Sequence, residues 1–110
     1  MTILNVMKRV TLLAAFALSP AIARADEAAL ALGRAIFVEQ GEPQCALCHT
    51  LADAKSAGEV GPVLDVLKPD AARVTAAVTN GIGIMPAYDS LTPAQIAAVA
   101  LYVSTVAGKP

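Results

Sequence analysis

The pentapeptide Cys45-Ala46-Leu47-Cys48-His49 constrains this chain more than any other feature, because it holds both cysteines and the single histidine of 110 residues. Cys-x-x-Cys-His is the attachment sequence of a covalently held haem. Two thiols three positions apart can reach the two vinyl groups of one porphyrin and form thioethers. The histidine that follows is then carried under the iron as its proximal ligand. A short chain that does this must fold around the porphyrin.

Other readings of the pentapeptide leave part of it unused. A redox pair of the thioredoxin kind expects a βαβ neighbourhood, and the sequence after Thr50 shows no strand-like alternation. A structural zinc site closes with four Cys or His ligands, and the chain has two Cys and one His. A disulfide between Cys45 and Cys48 would close a very short loop and leave His49 without a task.

Residues 1–25 read as a cleaved secretory signal peptide. Lys8 and Arg9 form a positive n-region, Val10 to Leu18 an apolar run too short to span a bilayer, and Ala23-Arg24-Ala25 a small-x-small cleavage site. An uncleaved membrane anchor would ask for a longer run and no such cleavage pattern. The expected mature chain, 26–110, has 85 residues and one domain, with no anchor after cleavage. Export to the periplasm suits the haem motif, since this covalent attachment takes place outside the cytoplasm in bacteria. A chain this small has little core of its own and commonly needs a staple; with both cysteines committed, the haem is that staple.

Cleavage also changes the charge. Lys8, Arg9 and Arg24 leave, so five basic residues face nine acidic ones, a net of −4. That balance speaks against nucleic acid or an anionic membrane surface as partner. It suits a redox partner with a basic or neutral docking face.

The periodicity predicts an all-α chain with three main helices. The first spans about Asp26 to Glu39, with Ala29, Leu32, Gly33, Ile36 and Phe37 on one face and a glycine placed to let another backbone approach. The second spans about Pro69 to Asn80, with Asp70 as cap or first-turn acid and Gly81 as stop. The third has the clearest start: Thr92 caps, Pro93 takes the first helical position and Gln95 completes a capping box. Ile96, Val99, Ala100, Val103 and Val106 then form a buried stripe, and Gly108 ends the helix. Two loops, Gly58 to Lys68 and Gly81 to Leu91, separate these elements.

The second loop carries Met85, the one methionine left once Met1 and Met7 depart with the signal. With His49 as the sole histidine, Met85 is the only soft neutral ligand for the sixth position on iron. Its separation of 36 residues from His49 is ample to wrap around a porphyrin edge. A lone methionine is ordinarily core filler, but His/Met is an established axial pair. The expected site is therefore Cys45 and Cys48 as haem attachment points and His49 and Met85 as iron ligands.

Taken with Gly61-Pro62-Val63-Leu64, Gly81-Ile82-Gly83-Ile84-Met85-Pro86-Ala87-Tyr88, Gly33-Arg34-Ala35-Ile36-Phe37 and Leu101-Tyr102-Val103, the pentapeptide gives a chain that resembles the small bacterial class I c-type cytochromes. The likeness covers nearly the whole expected mature chain. It implies a cytochrome c fold wrapped around one haem c, with the terminal helices crossing at Gly33, Phe37 and Tyr102. It also implies that the Pro62 carbonyl accepts a hydrogen bond from the His49 imidazole. Many members of the family place a tryptophan near a haem propionate; this chain has no Trp. Tyr88, Arg73 or backbone amides are the substitutes, although such residues are more often a surface tyrosine and a solvated helix charge.

With both axial positions filled, no site is open for dioxygen or a substrate, which points to an electron carrier and not an enzyme. Ala46, Leu47, Ile84 and Ala87 are candidates for a small apolar collar at an exposed haem edge. The resemblance leans toward cytochromes that accept electrons from periplasmic dehydrogenases, molybdenum sulfite dehydrogenases in particular, and pass them to a terminal oxidase or another cytochrome. Two alternatives stand beside this: a haem sensor or peroxidase-like protein with a labile Met85 bond, and a permanent cytochrome subunit of an oxidoreductase complex.

Overall fold

The computed structural model describes residues 19–109. The n-region, the apolar run to Leu18, and Met1 and Met7 lie outside the described residues. Three long helices, two single-turn helices and a minute hairpin make up the fold: α1 (Ser19–Ala35), α2 (Cys45–Cys48), β1 (Thr50–Leu51), β2 (Ser56–Ala57), α3 (Leu64–Leu67), α4 (Ala71–Asn80) and α5 (Pro93–Val106). This is the expected helical architecture of a cytochrome c fold. No described helix is long and apolar enough to cross a membrane.

Among the described residues the first helix already runs from Ser19, seven residues before the expected Asp26. The stretch across the expected cleavage point is rich in alanine, the strongest helix former, and propagates the helix without tertiary support. Residues 20–28 are all exposed, and burial starts at Ala29. The helix ends in a π-helical turn over Ile36–Gln40, closed by the Gly41 N–H on the Ile36 carbonyl at 2.8 Å. The buried face is also rotated from the one expected. Leu32 is 38% exposed, while Leu30 packs on the core. The reason is angular: at roughly 100° per residue Leu32 stands a quarter-turn from Gly33, whereas Ala29, Leu30, Ile36 and Phe37 all lie within about 60° of it.

Gly33 is where α1 meets α5. A β-carbon there would overlap the Ala98 carbonyl oxygen and stand 2.5 Å from Tyr102 Cβ, so only glycine permits this approach. Phe37 and Tyr102 close the crossing, ring centroids 6.1 Å apart and tilted by 60°. The cap of α5 forms as read from the sequence. Thr92 Oγ1 accepts from the Gln95 N–H, and Gln95 Oε1 accepts from the Thr92 N–H. Its buried surface is wider than one stripe: Ala98 and Tyr102 are buried as well as Val99, Ala100 and Val103, with Ile96 and Val106 only half-buried. The helix is covered on two sides, by α1 and by α4, and its Val99 and Val103 also line a cavity.

α4 starts at Ala71, with Asp70 as its N-cap accepting from the Arg73 N–H at 2.8 Å; Pro69 lies before the helix. The paired strands β1 and β2, two residues each, were not foreseen, since two residues are too few to show a period.

Candidate functional site

α2 is a single turn, so Cys45 and Cys48, three apart, fall on the same side of it. Both thiols line the cavity beneath α5. His49 leaves the turn with extended backbone, φ −115° and ψ 137°, and its ring also enters the cavity wall. The hairpin just beyond holds this exit in place. Ser56 Oγ donates to the His49 carbonyl at 2.9 Å, and Thr50 Oγ1 donates to the Gly58 carbonyl at 2.9 Å.

The imidazole is oriented from the loop that follows. His49 Nδ1 lies 2.7 Å from the Pro62 carbonyl oxygen, which can only accept, so Nδ1 carries the proton and Nε2 keeps its lone pair. The bond expected from the resemblance is therefore present. Gly61 packs against the flat of the same ring. Gly58 is equally confined, since a β-carbon there would stand 2.6 Å from the Leu47 carbonyl oxygen. The sequence marks Gly61 within a motif but gives no reason for it; the reason is a ring that reaches it only in the fold.

Met85 comes to the same cavity on a tight turn. The Ile82 N–H bonds the Met85 carbonyl at 3.0 Å and the Met85 N–H bonds the Ile82 carbonyl at 2.9 Å. Gly83 sits in the turn at φ +58°, and Gly81 before it at φ +72°. Glycine is favoured at both, because other residues adopt such angles only at a cost in strain. Tyr88, which follows, is 5% exposed, a buried residue and not a surface tyrosine.

One cavity of about 500 Å³ thus collects Cys45, Cys48, His49 and Met85. That is the size of a site for a substantial organic ligand. Phe37, Leu64, Val74, Val99 and Val103 supply apolar walls. Of the expected collar, Ile84 (83% exposed) forms part of the cavity edge, Leu47 and Ala87 are exposed beside it, and Ala46 is half-buried against the core. Val60 and Ile82, which the sequence reading did not include, join Ile84 at the edge.

The chemistry of these walls fits a haem. Among the described residues no three His, Cys, Asp or Glu side chains gather to hold a bare metal ion. An iron bound here would have to bring its equatorial ligands with it, as a porphyrin does. Burial pushes the Cys45 thiol up to about 11, opposite to the depressed value of a nucleophilic Cys-x-x-Cys thiol.

Comparison with known proteins agrees. Residues 28–103 match the family model described as cytochrome c oxidase, cbb3-type, subunit III. The chain is also similar to the c-type cytochrome SorU from Sinorhizobium meliloti, at 73% identity over 76% of this chain and 95% of that one, with a TM-score of 0.75. Among curated proteins none matches.

Proposed function

The chain belongs to the cytochrome c family, and from that premise we propose that it carries one haem c on Cys45 and Cys48, ligated by His49 and Met85, and shuttles single electrons in the periplasm. Family membership itself makes it an electron-transfer protein and not an enzyme, with covalent haem and redox partners. The observation that carries the site assignment is the convergence of the Cys45–His49 turn and Met85, 36 residues further on, on one apolar cavity.

Bound haem would supply a one-electron iron couple. The residues around it define how that couple is held. The Pro62 carbonyl fixes the tautomer of His49 and, as an acceptor behind the ligand, raises the basicity of Nε2. The turn at Ile82–Met85, bonded through both backbone groups of Met85, sets the direction of the thioether. These two hydrogen bonds within the turn favour a closed site over the labile Met85 of a sensor. The apolar walls exclude water and keep the local dielectric low. Ile84, Ile82 and Val60 leave an apolar edge open to solvent, suited to the small, short-lived interfaces of electron-transfer partners.

The signal peptide belongs to the same proposal. Cleavage after Ala25 would remove only exposed positions among the described residues 20–25, so the packed body does not depend on them. For the donor we take a periplasmic dehydrogenase, a sulfite dehydrogenase by the likeness read from the sequence. The acceptor would be a terminal oxidase or another cytochrome. The matching family model, a subunit of an oxidase, supports a second reading as a permanent subunit of an oxidoreductase complex. Sedimentation of the protein with its donor over a range of concentrations separates a dissociating shuttle from a fixed subunit.

The test of the site is a visible spectrum of protein matured in a bacterial periplasm. Covalent haem with a far-red sulfur-to-iron band in the oxidised form, the band lost in Met85→Ala, is expected. Haem without that band would remove Met85 from the iron and bring the sensor reading forward.

A further inference from the structure

The segment that carries His49 is tied to the loop that carries Pro62 by three hydrogen bonds, each joining residues 13 positions apart. The Gly61 N–H donates to the Cys48 carbonyl at 2.7 Å, His49 Nδ1–H to the Pro62 carbonyl at 2.7 Å, and the Ala52 N–H to Asp65 Oδ2 at 2.9 Å. The imidazole bond is the middle rung of this ladder. The rungs on either side set how far apart its two ends stand. The first is backbone on both sides, whereas the last depends on a single side chain, that of Asp65.

Asp65 is held from a third direction as well. Its Oδ1 accepts from the Gly108 N–H at 2.9 Å, just past the end of α5. A β-carbon on Gly108 would stand 2.5 Å from Lys68 Cε and 3.1 Å from the Asp65 carbonyl oxygen, so the chain end is packed directly on α3. With an N–H on each oxygen, the carboxylate cannot swing away from Ala52 without giving up the bond to Gly108 too. Bonds from N–H groups to an ionised carboxylate are among the stronger ones. An acid on a single-turn helix would ordinarily be a solvated charge; this one is half-buried and joins three segments of the fold.

We propose that Asp65 is a positioning residue for His49: it fixes the rung at Ala52, hence the length of the His49–Pro62 bond, and through that bond the basicity of Nε2. This rests on the haem reading above. A short bond at Nδ1 makes the imidazole more basic, which favours the oxidised iron because that state carries one more positive charge. Loosening the bond favours the reduced state.

The experiment uses the matured holoprotein equilibrated with a one-electron reference couple in about 1 M salt, where screening acts over about 3 Å and suppresses the plain effect of a lost surface charge. Asp65→Asn keeps the size of the side chain but turns one of its two acceptors into a donor. It is expected to shift the equilibrium toward the reduced protein by about threefold, on the order of 30 mV for one electron. Glu59→Gln removes an exposed acid from the same loop and should shift it by less than about 1.5-fold, as that screening implies. In the reduced proteins, the proton resonance of His49 Nδ1–H should move upfield in Asp65→Asn and stay in place in Glu59→Gln. In the wild type, the Ala52 amide should be protected from hydrogen exchange, a readout that needs no variant to fold. An unmoved Nδ1–H resonance in Asp65→Asn, equal shifts in the two variants, or a freely exchanging Ala52 amide would overturn the proposal alone. Wild-type protein that matures without covalent haem would overturn it together with the reading beneath it.

Discussion

The hydroxyl of Tyr88 donates to the carbonyl of Pro43 at 2.6 Å, and that bond joins the Met85 loop to the segment leading into Cys45. The Tyr88 N–H is held in turn by the Val78 carbonyl of α4 at 2.9 Å. Tyr88→Phe keeps the buried ring and removes only the side-chain bond, a loss of about 1 kcal/mol. The expected result is a far-red methionine band that disappears at lower guanidinium than in the wild type, before the helical circular dichroism is lost. If band and helix vanish together at the wild-type midpoint, Tyr88 does not hold the loop.

Gly61 and His49 give a sharper case. A β-carbon on Gly61 would stand 2.5 Å from the imidazole Cε1 and 2.8 Å from Nδ1. The ring cannot move aside without stretching its 2.7 Å bond to Pro62. Gly61→Ala should therefore cost about 1–3 kcal/mol as overpacking and lower the yield of haem-loaded protein. The holoprotein that survives should show changed imidazole resonances in its paramagnetic NMR spectrum. Wild-type resonances and stability would mean that the loop relaxes freely at this point.

Gly83 tests strain without collision. Its φ is +58° and nothing stands within 4 Å of a β-carbon placed on it, so Gly83→Ala adds only the left-handed conformational cost of about 1 kcal/mol. That loosens the Met85 turn by about fivefold, since 1.4 kcal/mol corresponds to tenfold. External imidazole should bind the ferric protein about fivefold more tightly in the variant. Gly81→Ala should do more, because φ +72° is combined there with a contact of 2.8 Å to the Met85 carbonyl oxygen. Identical imidazole titrations in all three proteins would show that the turn does not govern access to the iron.

These glycines mark the boundary of what the sequence discloses. Features written in adjacent residues were legible: the pentapeptide at Cys45, and the cap of α5, where Thr92, Pro93 and Gln95 act on one another within a single turn. The helical fold class followed from the same local patterns. What depends on distant packing was not legible. Leu30 replaced Leu32 in the core because the centre of the α1 face is set by where Gly33 meets Ala98, which periodicity alone does not fix. Strands β1 and β2 are too short to leave a pattern. Tyr88 looks like a loop residue in the sequence, and its burial comes from Val78 and Pro43, 10 and 45 positions away.

Tyr102 provides a test of the helix crossing that is independent of the haem. Its hydroxyl donates to Asp53 Oδ2 at 2.6 Å, and the residue is 2% exposed. Burial, and then the Asp53 carboxylate, push its ionisation well above the ordinary tyrosine value of 10.0, with Arg34 opposing them weakly. A raised value means that the folded state keeps the proton after the unfolded chain has lost it. The contribution of Tyr102 is thus fully present below pH 10 and falls as the pH climbs toward its folded value. In that window the unfolding free energy drops by about 1.4 kcal/mol per pH unit for this one proton. Tyr102→Phe should be less stable than the wild type at pH 7, by about 1.5–3 kcal/mol for a bond to a charged group. Above pH 10 the difference should shrink at the stated slope. Denaturant titrations of both proteins from pH 7 to 11.5 measure it, and parallel curves throughout would show that Tyr102 ionises in the fold as easily as in the open chain.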